Sequence, residues 1–289
     1  MKERVLVVGA DGLVGRALFN AFQATCEAVG TSRRAHSSHL MLDLANGGAE
    51  VPKLDGISLA FLCAAATSLK RCRENPAETR QINVDNTVAL AGKLVSAGVR
   101  VVFFSTALVF DGKKPFCREA DSPNPQCEYG RQKLDAERAL LSFGDAAAVV
   151  RLTKVIAPEV PLFRHWREDL LAGRAIHPFT DYRMSPISVS IVVAVMQALR
   201  RRWLSGLLHL SADRDMDYGE AAMQFAKRLD PSLALLNLVQ PTTSAAAGAD
   251  LEVNPRFTTL DTSRLRCELN LVTPSADASL AECFQSLSA

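Results

Sequence analysis

Tyr129 and Lys133, in the run Tyr129-Gly130-Arg131-Gln132-Lys133, place a phenol and an amine at i and i+4, on one face of a helix if the segment is helical. Thr106, just after the apolar run Val99 to Phe104, adds a hydroxyl. These are the parts of a proton-transfer site. A free phenol has a pKa near ~10, so exchanging its proton near neutrality needs roughly 4 kcal/mol of differential stabilisation. One ammonium at about 4 Å supplies roughly 4 kcal/mol at an effective dielectric of about 20. Lys133 alone is therefore of the right size for the task. An ordinary exposed helix with Lys133 paired to Glu137 would show the same spacing, so the motif needs its surroundings to carry weight.

A second constellation is Gly9-Ala10-Asp11-Gly12-Leu13-Val14-Gly15, which follows the apolar run Val5 to Val8 and precedes a helical pattern from Leu13 to Phe22. Between a strand and a helix, glycines permit a tight turn, let the backbone approach a pyrophosphate, and pack the helix against the strand. The helix N-terminus then offers N–H groups and partial positive charge to the phosphates. The end of the second strand selects the coenzyme. An NAD-type fold places an acid there for the ribose 2′-hydroxyl, whereas this chain has Thr31-Ser32-Arg33-Arg34. Arginine offers a permanent charge and fork geometry to a 2′-phosphate, so NADPH is the expected cofactor. Asp43 and Leu44, at the end of the third strand candidate, fall on the adenine side; a strand-end cap is the competing role for Asp43.

The elements that must position these groups alternate. Strands are expected at Val5–Val8, Ala28–Thr31, His39–Leu44, Ile57–Ala66, Val99–Phe104 and Ala146–Arg151. Helices are expected over Leu13–Phe22, about Pro76–Ala97 (ended by Gly98), and after Pro125. Strand runs that are apolar on both faces belong to a parallel sheet covered on both sides. The expected fold is α/β, a doubly wound parallel (Rossmann) sheet with its ligand at the carboxyl ends of the strands. Past Arg151, prolines 158, 161, 178 and 186 interrupt the pattern, around helices near Leu162–Ala172, Val189–Arg202 and Tyr218–Leu229. The sheet domain is therefore expected over 1–154 plus about 181–212, and a smaller substrate lobe over about 155–180 and 213–289.

The 289 residues carry 33 Lys+Arg against 31 Asp+Glu, a formal net charge of +2, with 48% hydrophobic residues. This balance gives no reason to expect nucleic acid or a membrane surface as partner, and no apolar run reaches the ~18 residues of a spanning helix. Met1-Lys2-Glu3-Arg4 leads directly into the first expected strand, so no signal peptide is expected. Seven cysteines, an odd number without a Cys-x-x-Cys pair, favour reduced thiols and a cytoplasmic location. His36 and His39 lie three apart in a polar loop without a third ligand, and no metal site is expected. Cys63 and Cys127 read as small apolar fillers.

The glycine loop, the Ser105-Thr106 pair after the fifth strand and Tyr-x-x-x-Lys in the next helix together resemble the extended short-chain dehydrogenase/reductase family. Ser105-Thr106-Ala107-Leu108-Val109-Phe110-Asp111-Gly112, Arg118-Glu119-Ala120-Asp121-Ser122-Pro123-Asn124-Pro125, Tyr129 to Glu137 and Thr259-Leu260-Asp261-Thr262-Ser263-Arg264-Leu265 resemble its dTDP-4-dehydrorhamnose reductase branch. The resemblance implies that Tyr129 protonates a substrate oxygen as hydride arrives, that Lys133 holds the nicotinamide ribose, and that Thr106 hydrogen-bonds the same oxygen. It implies Ala64, Ala65 and Ala66 along the coenzyme path and Asn83 holding a supporting water. Thr67, Thr106, Leu108 and Lys154 fall on the substrate side. Two departures stand there: Ala107-Leu108 replaces the branch's Asp-Tyr, and Lys154 replaces an aromatic three residues after Arg151. The expected activity is NADPH-dependent reduction of the keto group of a nucleotide-linked deoxysugar, which is the small-molecule partner; a homodimer is allowed but not required. The alternative is a non-catalytic NADP-binding regulatory subunit, since the β subunit of methionine adenosyltransferase resembles the same branch.

Overall fold

Strand β1 (Arg4–Val8) shows why its sequence is apolar throughout. Val5 and Val7 enter the core on one face of the sheet, and Leu6 and Val8 the core on the other. The same division holds along β5 (Arg100–Thr106) and β6 (Ala147–Leu152), and along β4 (Ile57–Leu62) from Leu59 onward, as the two-residue period of a strand demands. The computed structural model describes residues 4–34, 37–46 and 55–288. Within them, β2 (Glu27–Ser32), β3 (Leu40–Met41) and β10 (Gly206–Leu210) complete a seven-stranded sheet of order β10-β6-β5-β4-β1-β2-β3. Every pairing in it is parallel. The chain runs outward from β1 through β2 to β3, then returns to the other side of β1 at β4. That reversal opens a crevice at the strands' carboxyl ends.

Helix α1 (Leu13–Gln23) covers one face with Leu18 and Phe22, while the opposite face takes Leu90 and Leu94 of α4 (Thr87–Ser96) and Leu140 of α5 (Glu128–Leu141). Between β4 and β5 lie α2 (Leu69–Glu74), α3 (Pro76–Arg80) and a π-helical stretch, Gln81–Asn86, that leads into α4. The single helix expected over Pro76–Ala97 is thus interrupted by a widened turn. The strand expected over Ile57–Ala66 stops at Leu62, and the one over His39–Leu44 shortens to Leu40–Met41, with Leu44 opening a 3-10 turn. Both residues of β3 are exposed, so little burial rewards a longer strand at this edge.

Beyond β6 come β7 (Lys154–Ile156), α6 (Pro161–Leu171), β8 (Arg183–Met184), β9 (Pro186–Ser188), α7 (Val189–Arg201), β11 (Met216–Asp217), α8 (Tyr218–Leu229), α9 (Ser263–Leu269) and α10 (Ala276–Ser288). Phe163, Phe225 and Phe284 bring α6, α8 and α10 together, with ring centroids 5.2 Å (Phe163–Phe284) and 4.6 Å (Phe225–Phe284) apart. This aromatic group belongs to the same buried cluster as Val5, Phe22 and Phe61. The C-terminal residues therefore do not carry a separate core. No helix among the described residues is long and apolar enough to cross a membrane.

Candidate active site

A cavity of about 350 Å³ occupies the crevice. It is lined by Gly9, Asp11 and Gly12 after β1, Ser32, Arg33 and Arg34 at the tip of β2, Leu42, Asp43 and Leu44 after β3, and Cys63, Ala64, Ala65, Ala66, Thr67 and Ser68 after β4, with Arg71 and Ile82 beyond. Gly9 has φ +85°, and a Cβ there would lie 2.8 Å from the Ala64 backbone nitrogen, so the turn from β1 admits only glycine. Helix α1 begins at Gly12 with no side-chain cap. Its first N–H groups are therefore left for a ligand, as an anion-binding helix N-terminus requires. Leu13, Val14 and Gly15 form that first turn and lie outside the cavity wall: Val14 packs on the core and Gly15 is buried against Gly9.

Asp43 lines the cavity, yet its oxygens accept from the Ala45 N–H at 2.9 Å and the Asn46 amide at 3.3 Å, so it also caps the turn that follows. Asp11 accepts hydrogen bonds from Ser32 and Ser37, and these bonds outweigh its partial burial and hold its carboxyl below the ordinary range. His39 lies 3.8 Å from Asp11 and stacks edge-on to Phe19. His36 falls outside the described residues, among which no group of three or more potential ligands could hold a metal ion.

Tyr129 and Lys133 stand in the first two turns of α5, as the spacing predicts, with the buried Cys127 as N-cap accepting from the Gly130 N–H at 3.4 Å. Thr106 ends β5, and its Oγ1 accepts from the Leu108 N–H at 3.2 Å, which leaves the hydroxyl proton free to be donated. A Cβ on Gly130 would collide with the Leu108 carbonyl, so glycine allows the helix to press onto the turn that carries Thr106. Lys133 is buried; its Nζ donates to the Phe104 carbonyl at 2.8 Å and lies 5.9 Å from the centre of the Tyr129 ring. Cys63, on the cavity wall, is within electrostatic reach of Lys133. Cys63 thus links the cavity wall to the amine on α5.

One expectation is corrected here. Lys133 does not pull the Tyr129 phenol toward neutrality: burial raises the phenol above its ordinary range and lowers the lysine to about 8. Desolvation is the largest cause at each group and disfavours its charged form. In this structure without coenzyme, the phenol is thus a weaker acid than a free one.

The surroundings fix this helix. Asn83, in the π-helical stretch, is buried; its Oδ1 accepts from the Ala66 N–H at 2.8 Å, and its amide donates to the Ala66 carbonyl at 3.0 Å and to Gln132 at 2.9 Å. It clamps the loop after β4 to α5, where the sequence suggested a residue that holds a water. Further along α5, Glu137 pairs with Arg151 of β6 at 2.7 Å, both side chains almost fully buried. Arg151 also approaches His209 at 3.3 Å, and desolvation with that positive neighbour lowers the histidine to about 3.

Leu108 lies on the 3-10 turn beside Thr106. Lys154 opens β7 and is exposed, and the atoms around its amine hold it below the usual lysine range. Neither lines the cavity. Arg71 and the stacked pair Tyr182–Tyr218, 5.5 Å between ring centres, carry no signal in the sequence, while Cys63, read there as an apolar filler, lines the cavity. Tyr182 lies within electrostatic reach of Cys127. Arg71 rides on α2, whose polar segment Leu69-Lys70-Arg71-Cys72-Arg73-Glu74 gives no periodic signal.

A doubly wound sheet with a glycine turn after its first strand, a crevice at its carboxyl edge, and a tyrosine and a lysine one turn apart on the helix after β5 defines an extended short-chain dehydrogenase/reductase. Residues 2–289 match the model of the RmlD substrate binding domain. The chain belongs to that family. It is 30% identical to methionine adenosyltransferase 2 subunit beta of Bos taurus over 277 residues, covering 91% of this chain and 81% of the relative. It is 28% identical to the probable low-salt glycan biosynthesis reductase Agl14 of Haloferax volcanii over 295 residues, 95% of each chain. Its fold matches that of the dTDP-4-dehydrorhamnose reductase of Bacillus anthracis in complex with NADP, with a TM-score of 0.86 at 21% identity, over 99% of this chain and 100% of that one.

Proposed function

We propose that this chain is an NADPH-dependent reductase that delivers hydride to the keto group of a nucleotide-linked deoxysugar. The observation that supports the proposal is a crevice running from the glycine turn and the arginines of β2 to Cys63, a residue within electrostatic reach of the buried Lys133, whose Nζ lies 5.9 Å from the centre of the Tyr129 ring. The uncapped start of α1 would take the pyrophosphate, the region of Asp43 and Leu44 the adenine, and Ala64 to Ala66 the path toward the nicotinamide. When bound, the reduced nicotinamide supplies hydride. Lys133 would hold the ribose and Tyr129 would protonate the oxygen as its charge develops, while Thr106 donates a hydrogen bond to it.

Residues 155–180 and 213–289 would form the substrate lobe over the sheet domain of 1–154 and about 181–212. Thr67, Leu108 and Lys154 would lie on the sugar's side, with Lys154 suited to an anionic group. NADPH consumption would be followed with a panel of nucleotide-linked ketosugars. Turnover on at least one is expected, falling by about two to four orders of magnitude in Tyr129→Phe with coenzyme binding retained. Full turnover in that variant would exclude Tyr129 as the proton donor.

A second reading draws on the 30% identity to methionine adenosyltransferase 2 subunit beta and on the altered 107–108 and 154 positions: a regulatory NADP-binding subunit without turnover. A stoichiometric complex with a methionine adenosyltransferase catalytic subunit, with every ketosugar inert, would establish it instead.

A further inference from the structure

A second cavity, of about 260 Å³, opens beside β10, at the edge of the sheet opposite β3. It shares no lining residue with the crevice. Ala194 and Val195 of α7, Leu265 of α9, and Leu271, Val272 and Pro274 beyond it form an apolar wall. The chain reverses after α9 at Asn270, with φ +52°, and the Leu271 N–H donates to the Arg266 carbonyl at 3.0 Å, which brings the segment after α9 back across the helix. Val272 is left 89% exposed, more than any other large apolar side chain among the described residues. One charged group enters this wall. Arg266 lines the cavity, and its Nε is buried with no hydrogen-bond partner among the described residues. A guanidinium keeps its proton, so this N–H remains a donor. Buried donors are nearly always paired, and an apolar wall offers a bridging water few polar groups to hold it.

We propose that this second cavity is a binding site for a small carboxylate with an apolar tail, a medium-chain fatty acid in size, held by Arg266. A carboxylate accepts two parallel hydrogen bonds from one guanidinium, and Nε–H is one of the donors that such a pair uses. The tail removes the apolar wall and the exposed Val272 from water. Each half of the ligand thus meets the half of the site that lacks a partner. The volume lies just under the about 300–1,000 Å³ of pockets for drug-sized molecules, so the tail is short.

Calorimetric titration of the full chain with octanoate tests this. One site per chain is expected, with a dissociation constant on the order of 100 µM. Octanol, with the same tail and no charge, should bind about tenfold more weakly. Arg266→Gln should weaken octanoate about tenfold and leave octanol unchanged. Val272→Asp sets a like charge beside the site at a side chain too exposed to matter for folding; it should also weaken octanoate about tenfold, and decides the matter if Arg266→Gln does not fold. Saturation with NADP⁺ should leave the octanoate affinity as it was. Failure of octanoate to bind overturns the proposal, as does an unchanged affinity in either folded variant. Displacement of octanoate by NADP⁺ overturns it too, because the fatty acid would then lie in the crevice. Self-association in sedimentation that Val272→Asp abolishes, without octanoate binding, overturns it in favour of a second copy of this chain.

Discussion

Arg151 and Glu137 provide a quantitative test of how this helix is held. Their side chains are 2% and 1% exposed, with N–O separations of 2.7, 2.9 and 3.2 Å. Arg151→Met would leave Glu137 buried without its partner. An unpaired buried carboxylate escapes by taking a proton. From an ordinary pKa near ~4.3, that costs about 3.7 kcal/mol at pH 7, inside the range of about 3–5 kcal/mol for breaking such a pair. The group's folded pKa is then raised above its unfolded value, so the loss grows with pH above that unfolded value and shrinks toward about 1 kcal/mol at pH 5. Glu137→Leu alone should be destabilising for the mirror reason. The double variant Arg151→Met/Glu137→Leu should return to within about 2 kcal/mol of the unmodified protein, because nothing charged remains to be neutralised. Urea unfolding of the four proteins at pH 7 and pH 5 measures all of this. If Arg151→Met loses less than about 1 kcal/mol at pH 7, or if its deficit ignores pH, the charge is not sealed from water and the reasoning fails.

Three further outcomes are expected. Asn83→Ala deprives the Ala66 N–H, the Ala66 carbonyl and Gln132 of partners; about 2–4 kcal/mol of stability should be lost in urea melts, with weaker NADPH binding. Lys133, at about 8 when folded against a usual 10.5, sheds its proton first in the native state, so its contribution to stability rises by about 3 kcal/mol between pH 8 and 10.5. Lys133→Met should remove that rise, read as the difference between the two proteins' melts over this range. Gly130→Ala forces a Cβ toward the Leu108 carbonyl; displacing Tyr129 by even an ångström should lower turnover on the order of a hundredfold, a larger effect than on the melting temperature.

The sheet was legible because its strands alternate between two buried faces and so read as unbroken apolar runs, and the glycine turn was legible because it stands at one fixed place in such a sheet. The helix bearing Tyr129 and Lys133 began within a few residues of where Pro125 suggested. Other features lie outside what one-dimensional patterns carry. Helix α2 has no apolar stripe. The widened turn at Gln81–Asn86 follows from Asn83 reaching Ala66 and Gln132, distant in the chain. Arg151 and Glu137 look like solvated charges until the fold buries them against each other. The lysine's effect on the phenol was misjudged because spacing along a helix gives a distance but not the water removed around it.

The aromatic group of Phe163, Phe225 and Phe284 shares one interior with Phe22 and Phe61 beneath the sheet. A hinge between the halves of this molecule would have to tear that interior apart with every catalytic cycle. The elements that frame the mouth of the crevice are thus tied to one another through a single shared interior.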